Sequence, residues 1–208
     1  MPSAAIDLSE PVSVPRRAKA WLDQEAARQL LTGIAGDRLE ALYVTTLSLG
    51  LRRGEALAIK WDDLDLSNRS VRIHRSLKRV RNRPLPDGTY PDGNSTRLVE
   101  GTPKTEGSSR TQPLPDRVVE VLRRHAVRQK EERLAAESWQ DAGFVFTTPI
   151  GTPIDPDNVS KYFSAVCERA GLGHRNIHQL RHSAASILLA QGVPLHEVSR
   201  FPNEPVLA

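Results

Sequence analysis

The segment GLRRGEALAIKW sets Arg52, Arg53 and Glu55 at the expected start of a short helix, directly behind a glycine that closes the one before. A guanidinium fork beside unpaired backbone N–H groups suits a phosphate, although the same residues would also satisfy each other as an Arg52–Glu55 surface pair. A second segment, TPKTEGSSRTQPL, places Lys104 in a polar turn between two expected strands. An ammonium on a flexible stem there can reach into a cleft and donate a proton, or simply guard a sheet edge in solvent. The third, IHQLRHSAASILLAQG, puts His178 and Arg181 three apart on one helical face, with His182 at its margin. An imidazole can move a proton at neutral pH and a guanidinium cannot, so the two would serve one anion in different ways.

His178 and His182, at i and i+4, also fit a metal pair, with His174 or His196 completing the set. A metal-dependent phosphoesterase is the weaker reading, because no carboxylate lies nearby on the helix and no cysteine joins it. No metal and no cofactor is expected.

Anion chemistry needs a positive surface, and the sequence concentrates one. The formal charge is only +4, yet the run RSVRIHRSLKRVRNR carries Arg69, Arg72, Arg75, Lys78, Arg79, Arg81 and Arg83 without an acid, leaving 22 basic against 25 acidic residues elsewhere. Such a stripe is either a solvated face or the footprint of a phosphate-backbone partner. Arg72, Arg75, Lys78, Arg79, Arg81 and Arg83 are therefore the candidate nucleic-acid contacts.

The elements that must position these groups are readable in outline. With 208 residues, 38% hydrophobic and 26% charged, the chain can bury a core. No stretch is apolar enough to span a bilayer, the first residues carry acids where a signal peptide is basic, and Cys167 stands alone, so a cytoplasmic location is expected. Residues 1–20 read as a flexible lead. Asp23 caps a helix with Ala26, Ala27, Leu30, Leu31 and Ile34 at helical spacing, and Leu39 to Leu47 forms a second that stops at Gly50. Leu51 to Lys60 reads as a third, short helix.

Val71 and Ile73 alternate with Arg72 and His74 as in a half-buried strand. The stretch NRPLPDGTYPDGNS is a turn-rich extension of a hairpin, and Arg97 to Thr102 and Arg110 to Leu114 read as strands around the Lys104 turn. A helix follows from Val118, and Asp155-Pro156 caps another that ends at Gly171. Helices over His178–Gln191 and from Pro194 to Ser199 complete the order. The fold class is α+β, mainly α, with a small three-stranded antiparallel sheet.

In joint order and spacing, Arg52 in GLRRGE, Lys104 in PKTEGSSR and the HQLRH helix running on as SAASILLAQGVPLHEVS resemble the catalytic domain of the tyrosine recombinases, or phage-type integrases, over about Trp21 to Arg200. The resemblance implies a DNA breaking and rejoining domain that binds duplex DNA, works with other recombinase protomers, and cuts through a covalent 3′-phosphotyrosine without metal. By the same resemblance Arg52 and Arg181 hold the scissile phosphate, Lys104 protonates the leaving 5′-oxygen, His178 handles a proton, and Glu55 supports Arg52.

Two departures shape the expectation. The family pattern continues after VSR with a Leu-Gly-His segment and a nucleophilic tyrosine, whereas this sequence reads FPNEPVLA, and Tyr43, Tyr90 and Tyr162 all lie upstream. Only about 20 residues precede the domain, so the separate DNA-clamping domain is expected to be absent. Residues 21–200 are then an incomplete catalytic domain, 201–208 an aberrant tail, and the chain a truncated product unable to cleave alone. The alternative is a remnant that only binds DNA or a partner.

Overall fold

The structure, a computed structural model, describes residue 22 and residues 24–101, 109–181 and 183–184. The N-terminal lead, Lys104, His182, His196, the helices expected beyond residue 184 and the 201–208 tail lie outside the described residues. The elements are α1 (Gln24–Gly33), α2 (Glu40–Leu49), α3 (Arg53–Leu57), β1 (Leu64–Asp65), β2 (Ser70–Ile73), β3 (Ser76–Arg81), β4 (Thr96–Gly101), β5 (Arg110–Pro113), α4 (Asp116–Ala135) and α5 (Pro156–Arg169). A further helix begins at 178. Among the described residues no helix is long and apolar enough to cross a membrane.

The core is built around α2. Its sequence, EALYVTTLSL, is apolar on every side, and eight of its ten residues are buried, so it is enclosed where α1, α4 and α5 expose only one face each. Tyr43 from α2 meets Phe163 from α5 with ring centroids 5.3 Å apart, and both side chains are fully buried. Each burial of that size is worth about 1.5–3 kcal/mol. α4 contributes Val118, Val119, Val121 and Leu122. The piece over residues 144–147 is also buried: the Val145 N–H donates to the Ile59 carbonyl at 2.9 Å, and Gln129 on α4 donates to the Val145 carbonyl at 2.9 Å.

α2 ends where Gly50 takes a left-handed conformation at φ 59° and its N–H returns to the Thr46 carbonyl. That turn delivers Arg52 directly to the start of α3. The third helix is shorter than Leu51–Lys60 because a 3-10 turn over Trp61–Asp63 follows almost at once.

The strands pair differently from the sequence expectation. β4 and β5 flank the Lys104 segment but do not pair with each other: β5 pairs antiparallel with β2, which also pairs with β1, while β4 pairs antiparallel with β3. A three-stranded sheet and a two-stranded hairpin result. The reason is the break at His74 and Arg75, which separates β2 from β3, so that each seeks its own partner. The Asn82 to Ser95 excursion extends the β3–β4 hairpin as expected, closed by Asn82 N–H to the Ser95 carbonyl at 2.9 Å.

α3 lies hard against β3. A Cβ at Gly54 would stand 2.6 Å from the Ser76 hydroxyl and 2.7 Å from the Leu77 carbonyl oxygen, so only glycine fits there.

Candidate functional site

Five segments converge on one cleft of about 740 Å³: the start of α3, strand β3, Thr96 on β4, the first residues of α5, and residues 176–178. Its walls include Arg52, Arg53, Lys78, Arg79, Arg81 and His178, and among the described residues Asp157 is the one acid that lines it. Residues drawn from segments a hundred positions apart in sequence thus form one strongly positive concavity.

Arg52 is fixed from beneath. The Glu55 side chain is only 2% exposed; it accepts the Arg52 backbone N–H at 3.1 Å, the Arg52 Nη1 at 3.1 Å, and the Arg110 Nη2 at 3.0 Å. Burial pushes the Glu55 carboxyl up, but the hydrogen bond and charge of Arg110, joined by the bonds from Arg52, outweigh it and hold the group below its ordinary value. The carboxylate therefore stays charged, and the Arg52 side chain, 41% exposed, keeps part of its fork open to the cleft.

The adjacent Arg53 has another task. Its Nη1 donates to the Pro156 carbonyl at 3.0 Å and the Ser160 hydroxyl at 2.6 Å and lies 3.5 Å from Asp157, clamping α3 to α5. The paired arginines therefore divide the work, one tied to the scaffold and one presented.

His178 is positioned by a helix start. Asn176 Oδ1 accepts the His178 N–H at 2.9 Å while Gln179 Oε1 accepts the Asn176 N–H at 3.0 Å, a reciprocal cap at the beginning of that helix. Ile177 and Leu180 are buried and hold the turn down, leaving His178 exposed at the cleft. Arg181 follows three residues on in the same helix, half-buried. The structure thus brings Arg52 and His178 to one cleft with Glu55 beneath Arg52; Lys104 lies outside the described residues.

The basic run divides. Lys78 and Arg81 line the cleft, and Arg72 and Arg83 are exposed; among the described residues none of these four enters an ion pair. Arg79 lines the cleft but donates through Nε to Asp155 at 2.7 Å. Arg75 is half-buried and bonded to the buried Asp63, with Glu100 at 3.9 Å. Its charge is spent inside the protein.

Of the histidines in the metal alternative, His182 and His196 lie outside the described residues, and His174 is engaged elsewhere. His174 Nδ1 bonds the Ser164 hydroxyl at 2.7 Å and lies 3.6 Å from Glu168, on α5. Among the described residues no three His, Cys, Asp or Glu side chains converge.

None of the three tyrosines lines the cleft. Tyr43 is buried in the core, where burial first, then the Asp37 charge, push its hydroxyl far above the ordinary range. Tyr90 sits in the hairpin excursion and Tyr162 on the outer face of α5, both exposed.

Two contributors escape the motif reading. Arg110 opens β5, where an inward-facing charge in a period-two strand demands a buried acid; that inward position was the available signal. Asn176 and Gln179 spell a capping pair three residues apart, which places the helix start without the structure.

Comparison with known proteins gives a consistent result. The family model described as Phage integrase family matches residues 20–202. A protein named Tyrosine recombinase XerC-like from Caldanaerobacter subterraneus subsp. tengcongensis is 36% identical over 184 residues, covering 85% of this chain and 45% of the relative. A Streptomyces ambofaciens protein named Integrase is 32% identical over 206 residues, covering 93% and 48%. The chain spans about half the length of the curated relatives it matches. Among solved structures, the Tn1549 transposon integrase in complex with transposon right end DNA aligns with a TM-score of 0.68 at 20% identity, over 94% of this chain and 59% of that one.

Proposed function

This chain belongs to the phage integrase family, and from that membership we propose that its cleft binds a phosphodiester of duplex DNA as the phosphate-holding part of a site-specific recombinase. The observation that carries the reading is Arg52, held on the buried Glu55 and opening onto the same cleft as His178, which Lys78 and Arg81 of β3 also line. In this reading Arg52 and Arg181 grip the non-bridging oxygens, whose charge grows as the phosphorus is attacked. Each preorganised fork would then contribute about 3 kcal/mol, mainly in the transition state. His178 handles a proton, and Lys104 protonates the leaving 5′-oxygen. Lys78, Arg81, Arg72 and Arg83 supply backbone contacts that carry no sequence information.

Tyr43, Tyr90 and Tyr162 do not line the cleft, so in this reading the residues of the cleft bind without cleaving, and cleavage takes a nucleophile from elsewhere, such as another recombinase protomer. A tethered, oriented nucleophile is worth about 7 kcal/mol or more, which a free water does not replace. The same reading places the protein in the cytoplasm with the DNA.

Fluorescence anisotropy with a short labelled duplex tests the binding. Affinity should fall steeply with salt, with a log–log slope near −0.9 for each phosphate neutralised; an affinity indifferent to salt rejects the reading. A nicked suicide duplex should yield no covalent adduct, and an adduct mapped to Tyr90 or Tyr162 by mass spectrometry would show that the nucleophile lies within the chain.

A further inference from the structure

Glu55 is held from two sides, and the family resemblance gives a role to the arginine on only one of them. From α3 it receives the Arg52 backbone and side chain; from β5 it receives Arg110, whose side chain is 14% exposed and whose Nη2 lies 3.0 Å from Oε2. The two arginines occupy different oxygens, Arg52 Nη1 on Oε1 and Arg110 Nη2 on Oε2. A carboxylate buried this deeply with one cation would be costly to keep charged, and with two it is stable. Arg110 is also the first residue of β5, so this contact ties the strand that follows the Lys104 segment to the base of Arg52.

We propose that Arg110 is a positioning residue for the cleft, fixing the Arg52 guanidinium by holding the Glu55 carboxylate from the β5 side. The inference deepens the reading given under Proposed function and rests on it for its consequence in DNA binding. The charged groups facing Glu55 among the described residues are Arg52 at the start of α3 and Arg110 on β5; β3 contributes the neutral Ser76 and Leu77 beside Gly54. With Arg110 removed, burial is opposed by Arg52 alone. Glu55 then takes up a proton at a higher pH than in the wild type, and Arg52 loses its charged partner as pH falls.

The test uses the intact chain and two readouts. In the first, exchange of the Arg52 Nη–H groups, one of which bonds Glu55, with water is followed by NMR on arginine-labelled protein. Relative to the wild type at the same pH, Arg110→Met should speed that exchange, by a ratio that grows as pH is lowered toward the acid side of neutral. Arg110→Lys, which keeps a cation but loses the planar fork, should restore most of the pH profile. In the second, anisotropy with a short duplex should show Arg110→Met losing about tenfold in affinity, close to Arg52→Ala, with the double variant no weaker than either single one, as coupled residues behave.

If Arg110→Met fails to fold, Glu55→Gln and Arg110→Lys carry the same comparison, with Glu55→Gln expected to speed Arg52 exchange at every pH. Arg52 exchange that is unchanged in the variants, or losses that add in the double variant, would overturn the assignment. A wild-type chain that binds no duplex removes the DNA reading, and Arg52 exchange then still decides the role of Arg110.

Discussion

Two buried carboxylates anchor basic residues in this molecule, and they put them to opposite uses. Glu55 receives Arg52 and Arg110, two cations for one acid, and leaves a surplus charge at the cleft. Asp63 receives Arg75, while Glu100 joins Lys60 at 3.1 Å and approaches Arg75, so that two acids meet two cations and nothing is left over. Lys60 also packs over the Phe144 ring at 4.7 Å. Both clusters involve an arginine of the kind a charge count marks as a candidate for anion binding. What separates them is stoichiometry: a cluster with excess cation leaves charge open at the cleft, and a balanced one serves the fold.

The comparison is broken most severely by emptying the balanced cluster. Arg75→Met leaves the Asp63 carboxylate, 3% exposed, without its principal partner, and should cost about 3 kcal/mol in urea unfolding, since removal of one member of a buried pair strands the other. Duplex affinity below the melting transition should be unchanged, and a loss of affinity equal to that of Arg52→Ala would show that Arg75 reaches the ligand.

The next effect is on binding. Lys78→Ala should reduce the salt slope by about one and weaken binding to all sequences alike, whereas Arg79→Ala, whose guanidinium is engaged by Asp155, should change the slope less. Equal slopes for the two variants would mean that the Asp155 bond opens when a phosphate arrives.

The smallest effect is a pH dependence. Because the folded Glu55 lies below its ordinary value of 4.5, its contribution to stability is complete above that pH and is lost as pH falls through the lower folded value. Glu55→Gln should therefore flatten the acid limb of the melting temperature while lowering stability at neutral pH. A limb unchanged in shape would assign the acid loss to other carboxylates.

Much of this was legible in the sequence, for reasons that differ by element. Helices α1, α2, α4 and α5 follow from local periodicity, and α5 also from its N-cap: Asp155 accepts the Asp157 N–H at 2.9 Å, as its position before Pro156 predicts. Arg52, Glu55 and His178 were marked by motif spacing, because the local turn that presents each of them is short. Strand pairing was not legible, since a period of two reveals which face is buried and not which strand lies alongside; β5 was expected beside β4 and lies beside β2. The fate of the basic run was hidden for the same reason. Whether Arg79 is occupied depends on Asp155, 76 positions away, and whether Arg75 is occupied depends on Asp63 folding back beneath it. A run of charges gives the supply of cations, and only the tertiary structure gives the demand.

The contact at Gly54 sets the dimensions of the cleft. With no Cβ between them, α3 and β3 meet backbone to backbone, so the separation between the end that carries Arg52 and the strand that carries Lys78 is a matter of atomic radii rather than of side-chain rotamers. Affinity can therefore drift under selection, as charges around the rim are gained, lost or neutralised, while the gauge of the slot stays constant. An engineer could re-chemise the walls freely and still inherit a fixed caliper; a single methyl group at position 54 would change the caliper itself.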